Sequence, residues 1–309
     1  MLGDVFYWVF SMSIVTIICT LPLLLLRFIK RIPRRFFVWL WLIPLVRMSI
    51  PVGIASPYGV MAFLDRWMTK SVTIYEVQDN PAIALTMTNS VGLAENYFPI
   101  TYKMDLLGSL FDILGLVWLV VALAMILTWV IIYVVTMREL KDAQHLQGRV
   151  YVSEKVTTPG VYGVISPKIM LPATYDETHL PYILLHEEAH IKRFDYVLRV
   201  LALLVVCAHW FNPVAWVCLK LLYADMELAC DEKVLAGLGE AQKKDYAHAL
   251  LSTAEGINVF AATFGGAKLR TRIENILSYR KITRLSFVAF LLLIILIVYV
   301  LLTNALSYG

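Results

Sequence analysis

The chain has 309 residues, a net charge of +4, and a composition that is 60% hydrophobic and only 16% charged, with mean hydropathy +0.71. So little polarity excludes a soluble domain of this length and places the chain in a lipid bilayer. Cys19, Cys207, Cys218 and Cys230 form no Cys-x-x-Cys pair, which argues against a disulfide framework or a thiolate metal site, and no basic–aromatic array points to direct nucleic-acid binding.

Four segments approach the roughly 20 apolar residues that a helix needs to cross hydrocarbon. They run from about Val5 to Leu26, Phe36 to Ala55, Leu110 to Val135 and Leu285 to Leu302. The first lacks a basic start and a small-residue cleavage site, so it reads as an anchor rather than a removed leader. The second carries Pro44, Arg47 and Pro51. Arg47 admits two readings: it faces a bundle interior, or it snorkels from a shallow, proline-kinked span.

Lysine and arginine placement sets the orientation. Arg27, Lys30, Arg31, Arg34 and Arg35 sit between the first two segments with no acid among them, Arg138 and Lys141 follow the third, and Arg280, Lys281 and Arg284 precede the fourth. The connection 56–109 has more acids than bases. Both termini are therefore expected outside. Residues 1–135 would form three spans with a cytoplasmic basic loop (27–35) and an extracellular loop (56–109). Residues 136–284 would form a cytoplasmic domain, and 285–309 the fourth span with a short tail.

The cytoplasmic stretch opens with charged, helix-like sequence from Met137 to Gly148. Val150–Val152, Val161–Ile165 and Lys168–Leu171 read as strands separated by Pro-Gly and Ser-Pro turns. From Pro181 onward the pattern is helical, with Asp176 or Thr178 as the expected cap.

On that helix lies His186-Glu187-Glu188-Ala189-His190, an HExxH pattern. Imidazoles four residues apart share a helix face and can reach one zinc ion, while Glu187 between them is placed to take a proton from water. Downstream, Glu227 supplies a third ligand from a second helix, and Asp231, one turn later, can accept a ring N–H from a ligand histidine. Tyr196–Leu222 is also apolar, but two crossings need about 40 residues plus a turn. Two helices meeting near Phe211-Asn212-Pro213 are expected, either buried in the domain or dipping into the inner leaflet.

HEEAHIKRFD (186–195), WFNP (210–213) and ELACD (227–231) occur in an order that resembles the zinc metallopeptidase domain of the BlaR/MecR family, membrane receptors that induce β-lactam resistance. GVISPKIMLP (163–172) and Arg272–Ile276 resemble further segments of that family. The resemblance implies four spans with a mainly helical, gluzincin-like cytoplasmic zinc protease domain carrying a small sheet. It implies His186, His190 and Glu227 as Zn2+ ligands, Glu187 as base and Asp231 in support. Asp195 matches a recurrent family position without an assigned role, helix-end packing being its plainer reading. Glu188 stands where the family usually has an apolar residue.

The implied chemistry is peptide hydrolysis, with a cytoplasmic transcriptional repressor as substrate and self-cleavage within 268–284. Tyr246 and His248 are candidate oxyanion donors, each equally readable as a core or surface residue. Val161, Tyr162, Gly163, Val164 and Ile165 form a candidate strand for a bound substrate. Family receptors continue past the last span into an extracellular penicillin-binding sensor, whereas this sequence stops at Gly309. Ser278–Lys281 is an isolated SxxK string without partner motifs. Direct β-lactam sensing is thus not expected, and a signal is expected through the exterior loop, the lipid, or a separate extracellular partner. Rival readings are an HtpX-type quality-control protease and a catalytically silent scaffold.

Overall fold

A computed structural model describes residues 2–29, 32–50, 52–54, 56–59, 85–87, 103–254, 269–279 and 283–303. Most of the expected exterior loop, Lys268 and the basic residues Arg280 and Lys281 lie outside these described residues. Among the described residues three helices are long and apolar enough to cross a membrane: α1 (Leu2–Arg27), most of α4 (Lys103–Glu139) and α10 (Arg284–Leu302). Serine and threonine hydroxyls inside α1 bond back to the preceding turn (Thr16 to the Met12 carbonyl at 2.8 Å, Thr20 to that of Thr16 at 2.7 Å), so these polar groups are satisfied in an apolar setting. Half of the most apolar 18-residue stretch of α1 is buried, against 11% of that in α4 and 6% of that in α10. α1 is therefore the centre of the bundle, and the outer two turn apolar side chains such as Leu123, Leu127, Leu292 and Leu296 outward.

The expected second span differs. Residues 34–49 form two short helices, α2 (Arg34–Leu40) and α3 (Leu42–Ser49), joined at Trp41. Pro44 removes a donor and its ring presses on the carbonyl four residues back, at Leu40, where the break falls. Val52–Ile54 (β1) then pairs antiparallel with Leu85–Met87 (β2) instead of continuing as helix. Arg47 is fully buried, its Nη1 3.4 Å from the Leu302 carbonyl at the C-terminal end of α10, where helix carbonyls carry partial negative charge. Burial favours the interior reading of this arginine.

Met137–Gly148 is only partly helical. After a short 3₁₀ turn, Gln144–Gln147 is strand β3, which reverses through Gly148 (φ +53°) into β4 (Val150–Ser153). The sheet order is β3-β4-β6-β5, with β4 parallel to β6 (Lys168–Pro172) and β5 (Gly160–Tyr162) antiparallel at the edge. Alternation divides its faces: Val150, Ile169 and Leu171 pack on Ile183 of α5 (Leu180–Lys192), while Met170 packs on Leu140 and Val156.

Helices α6 (Asp195–Ala208) and α7 (Pro213–Leu235) form the apolar hairpin. Its corner is built as the sequence allows: Asn212 caps α7 by accepting the Val214 N–H at 2.9 Å, and Pro213 takes the first helical position. The tip is lodged among the spans. Phe211 packs on Phe6 and Phe10, Trp118 of α4 donates to the Ala208 carbonyl at 2.6 Å, and Asn212 Nδ2 donates to the Ser13 carbonyl at 3.2 Å. Further along, Thr20 meets Cys218 and Arg27 meets Asp225, so α7 runs beside α1 for about 20 Å at 1.5 Å per residue. Helices α8 (Glu240–Ala254) and α9 (Leu269–Leu277) close a second core, of Ala189, Cys230, Val234, Leu235, Tyr246, Leu250 and Ile276.

Candidate metal centre

α5 carries His186, Glu187 and His190, all buried, and presents both imidazoles to one side as their four-residue spacing requires. Glu188 points away and pairs with Lys192 at 2.8 Å on the exposed face. Helix start and cap differ from expectation. His179 takes the cap position without a side-chain bond, while Asp176 accepts from Thr178 N and pairs with His179, ordering the turn before α5. α7 brings Glu227 to the histidines: its Oε2 lies 3.4 Å from His186 Nε2 and its Oε1 3.5 Å from His190 Nε2. The three donor groups lie within 4.8 Å of one another.

The tautomers follow from the partners. Tyr246 donates its hydroxyl to Asp231 at 2.6 Å, so at His186 Nδ1 its oxygen (2.9 Å) and the Asp231 carboxylate (3.3 Å) can only accept. His190 Nδ1 faces Asp195 Oδ2 at 2.8 Å. Both Nδ1 atoms therefore hold the protons, and the two Nε2 lone pairs face each other 3.2 Å apart beside a carboxylate. That crowding calls for positive charge, which a metal ion would supply and to which Arg272 Nη2, 3.2 Å from His186 Nε2, already contributes. The donor set suits zinc, which takes His nitrogen and carboxylate oxygen at four positions, and leaves one position open.

Asp195 is thus more than helix-end packing. Its placement depends on the turn between α5 and α6, where Phe194 adopts φ +58° and swings Asp195 back under His190. Cys230 lies 3.2 Å from both His190 Nδ1 and Asp195 Oδ2, with its thiol donating to the carboxylate.

Two arginines that the sequence reading passed over complete the site. Arg272 of α9 grips Asp231 with Nε and Nη2, at 2.9 and 2.7 Å, and lies 3.6 Å from Glu227 Oε2. Burial alone would raise the Asp231 pKa, but Arg272 outweighs it and holds the carboxyl well below the usual range. Burial and the Asp231 charge push the Tyr246 phenol upward, keeping it a donor. Arg199 of α6 reaches Glu227 Oε1 at 2.5 Å.

The candidate oxyanion donors fall elsewhere. The Tyr246 hydroxyl sits on the Nδ1 side of His186, away from the Nε2 that faces His190 and Glu227, and serves the ring. His248, two residues on, points outward and is exposed. The candidate substrate strand is shorter than expected: β5 ends at Tyr162, Gly163 turns with φ +94°, and Val164 and Ile165 lie in the following turn, Ile165 fully exposed. β5 is an edge strand packed beside α5, and the Tyr162 phenol is pushed up by burial and by the neighbouring Glu187 charge.

Helices long and apolar enough to span a membrane, joined to a His-His-Glu cluster with both histidines buried, define a membrane protein of the metallopeptidase class. The profile of the family described as BlaR1 peptidase M56 matches residues 7–277, and the chain belongs to that family. It is similar to Regulatory protein BlaR1 of Bacillus licheniformis, 32% identical over 102 residues (32% of this chain, 17% of the relative). It is also similar to the methicillin resistance mecR1 protein of Staphylococcus aureus, 28% identical over 138 residues (41% of this chain, 24% of the relative). A BlaR1 of Staphylococcus aureus is 24% identical over 135 residues. The matched stretches thus span about a fifth of these relatives' lengths.

Proposed function

We propose that the chain is a zinc endopeptidase working at the inner face of the membrane, with His186, His190 and Glu227 holding the ion and Glu187 acting as base. The observation that carries this reading is the convergence of His186, His190 and Glu227, whose donor atoms lie within 4.8 Å of one another. Zinc, when bound, acidifies water and polarises the scissile carbonyl. Glu187, on the same turn as both histidines, takes the water proton as attack begins and passes it to the leaving amine. Asp231 and Asp195 hold the two rings in the tautomer that frees Nε2, and Arg272 keeps Asp231 ionised. An extended peptide pairs with the free edge of β5, which reads backbone rather than side chains.

The same reading has residues 34–49 complete a fourth crossing, both termini outside and 136–284 facing the cytoplasm. Family membership favours the regulatory assignment over an HtpX-type one. By the BlaR/MecR resemblance the substrate is a cytoplasmic repressor, with self-cleavage in 268–284. Within that stretch Leu277 and Ser278 are exposed at the end of α9, which is itself tied in by Arg272. A signal enters from outside through 56–109, through lipid or through a separate partner. The test is Glu187→Gln in the full chain: zinc stoichiometry by metal analysis should stay at one while peptide cleavage is lost. Unchanged cleavage would assign the site a silent role and favour the scaffold reading.

A further inference from the structure

We propose that Arg199 is a catalytic residue of this centre, its guanidinium donating to the oxyanion that forms when water adds to the scissile carbonyl. The inference rests on the peptidase reading above and supplies the donor that Tyr246 and His248 do not.

Two guanidiniums flank Glu227, one on each oxygen, and they are not equivalent. Arg272 is committed: two of its nitrogens hold Asp231, a third faces Glu227 Oε2, and the side chain is only 15% exposed. Among the described residues the Arg199 guanidinium makes one hydrogen bond, Nη2 to Glu227 Oε1, on the His190 side of the cluster. Among the described residues its Nε is buried without a hydrogen-bond partner, and 40% of its side chain remains exposed, so the guanidinium keeps donors not spent on Glu227. Its flat group lies over the Tyr223 ring at 5.6 Å, and the Tyr223 hydroxyl donates to the Arg199 carbonyl at 3.0 Å, which fixes its direction of approach.

In the reaction, the water oxygen bonds to the carbonyl carbon as Glu187 takes the proton, and the carbonyl π pair moves onto oxygen. That new charge lies next to a guanidinium already aimed and partly desolvated, so little reorganisation is needed as it forms. The C–N bond then breaks, the oxygen pair reforms the carbonyl, and Glu187 returns the proton to the amine.

The experiment uses the full chain in detergent, loaded with zinc or with cobalt, as wild type, Arg199→Met and Arg199→Lys. A phosphoramidate dipeptide, whose tetrahedral phosphorus mimics the intermediate, is titrated by calorimetry, and a fluorogenic peptide gives kcat and KM. Loss of the donor should weaken the phosphoramidate and lower kcat by about 100-fold in Arg199→Met. Arg199→Lys should recover part of both. KM should stay unchanged, and the losses of kcat and of phosphoramidate affinity should persist at saturating zinc or cobalt. A fall in zinc affinity and shifted cobalt bands, with phosphoramidate affinity unaltered at saturating metal, would overturn the proposal and leave Arg199 as a holder of Glu227. A wild-type chain that binds neither metal nor phosphoramidate would overturn the peptidase reading itself, and the inference with it.

Discussion

Arg27 and Asp225 form a two-point ion pair, with Nε and Nη2 each 3.1 Å from one carboxylate oxygen, that joins the end of α1 to the helix carrying Glu227. Asp225 is fully buried, and Trp41 Nε1 donates to the same carboxylate at 2.8 Å. Replacing Asp225 with Ala strands all of these donors two residues from a proposed ligand. The expected loss is about 3–5 kcal/mol of stability, because a buried pair is broken on one side only. Thermal unfolding in detergent measures it, and Asp225→Asn should lose less than Asp225→Ala.

Asp195 and Asp231 stand behind different histidines and predict different phenotypes. Asp195→Asn weakens the hold on the His190 tautomer and gives up only a single 3.5 Å contact with Arg193 Nε, so zinc affinity should fall about 10- to 100-fold with the fold intact. Asp231→Asn does the same at His186 and also leaves Arg272 without its two-point partner. Chelator competition should therefore place both variants together, whereas the melting temperature should separate them, Asp231→Asn being the lower.

Acid offers an independent check on Asp231. Its carboxyl sits below its ordinary 3.8 in the fold, so it contributes stability that is fully present above that value and lost as pH falls through and beneath it. The melting-temperature gap between wild type and Asp231→Asn should be widest near neutrality and should narrow as pH drops below about 4. A gap that widened on acidification would contradict the Arg272–Asp231 assignment.

Phe194 is 64% exposed yet holds φ +58°, a conformation that an L side chain adopts at a cost of roughly 1–2 kcal/mol. Phe194→Gly should leave stability unchanged or raise it by about 1 kcal/mol, with zinc affinity intact, because the turn only has to deliver Asp195. Phe194→Val, branched at Cβ, should lower both melting temperature and zinc affinity.

The parts of this site that could be read in advance were those with a local period. His186, Glu187 and His190 share one helical turn, and Glu227 and Asp231 another, so spacing alone put each set on one face. The Asn-Pro corner of the hairpin carried its own cap chemistry. Arg199 and Arg272 had no such signature: one looked like an interruption in an apolar run, and the other is meaningful only because α9 folds back across α7. Asp195 waited on a positive φ that no neighbouring glycine announced. β3 was missed because Gln144–Gln147 is exposed throughout, and becomes strand only through its pairing with β4, a case of tertiary context overriding local preference. The break at Leu40–Trp41 was legible in Pro44, four residues ahead, but reading 36–55 as one apolar block hid it.

The α6–α7 hairpin starts at the partner of one proposed ligand, turns at the level of Phe6 and Phe10, and returns carrying another. Excising residues 136–284 as a water-soluble fragment would strip this hairpin of its sheath and bare its aromatic tip to solvent. Such a fragment should clump rather than hydrolyse anything. Reconstitution of this protein therefore has to keep the span bundle and the reactive centre as one piece.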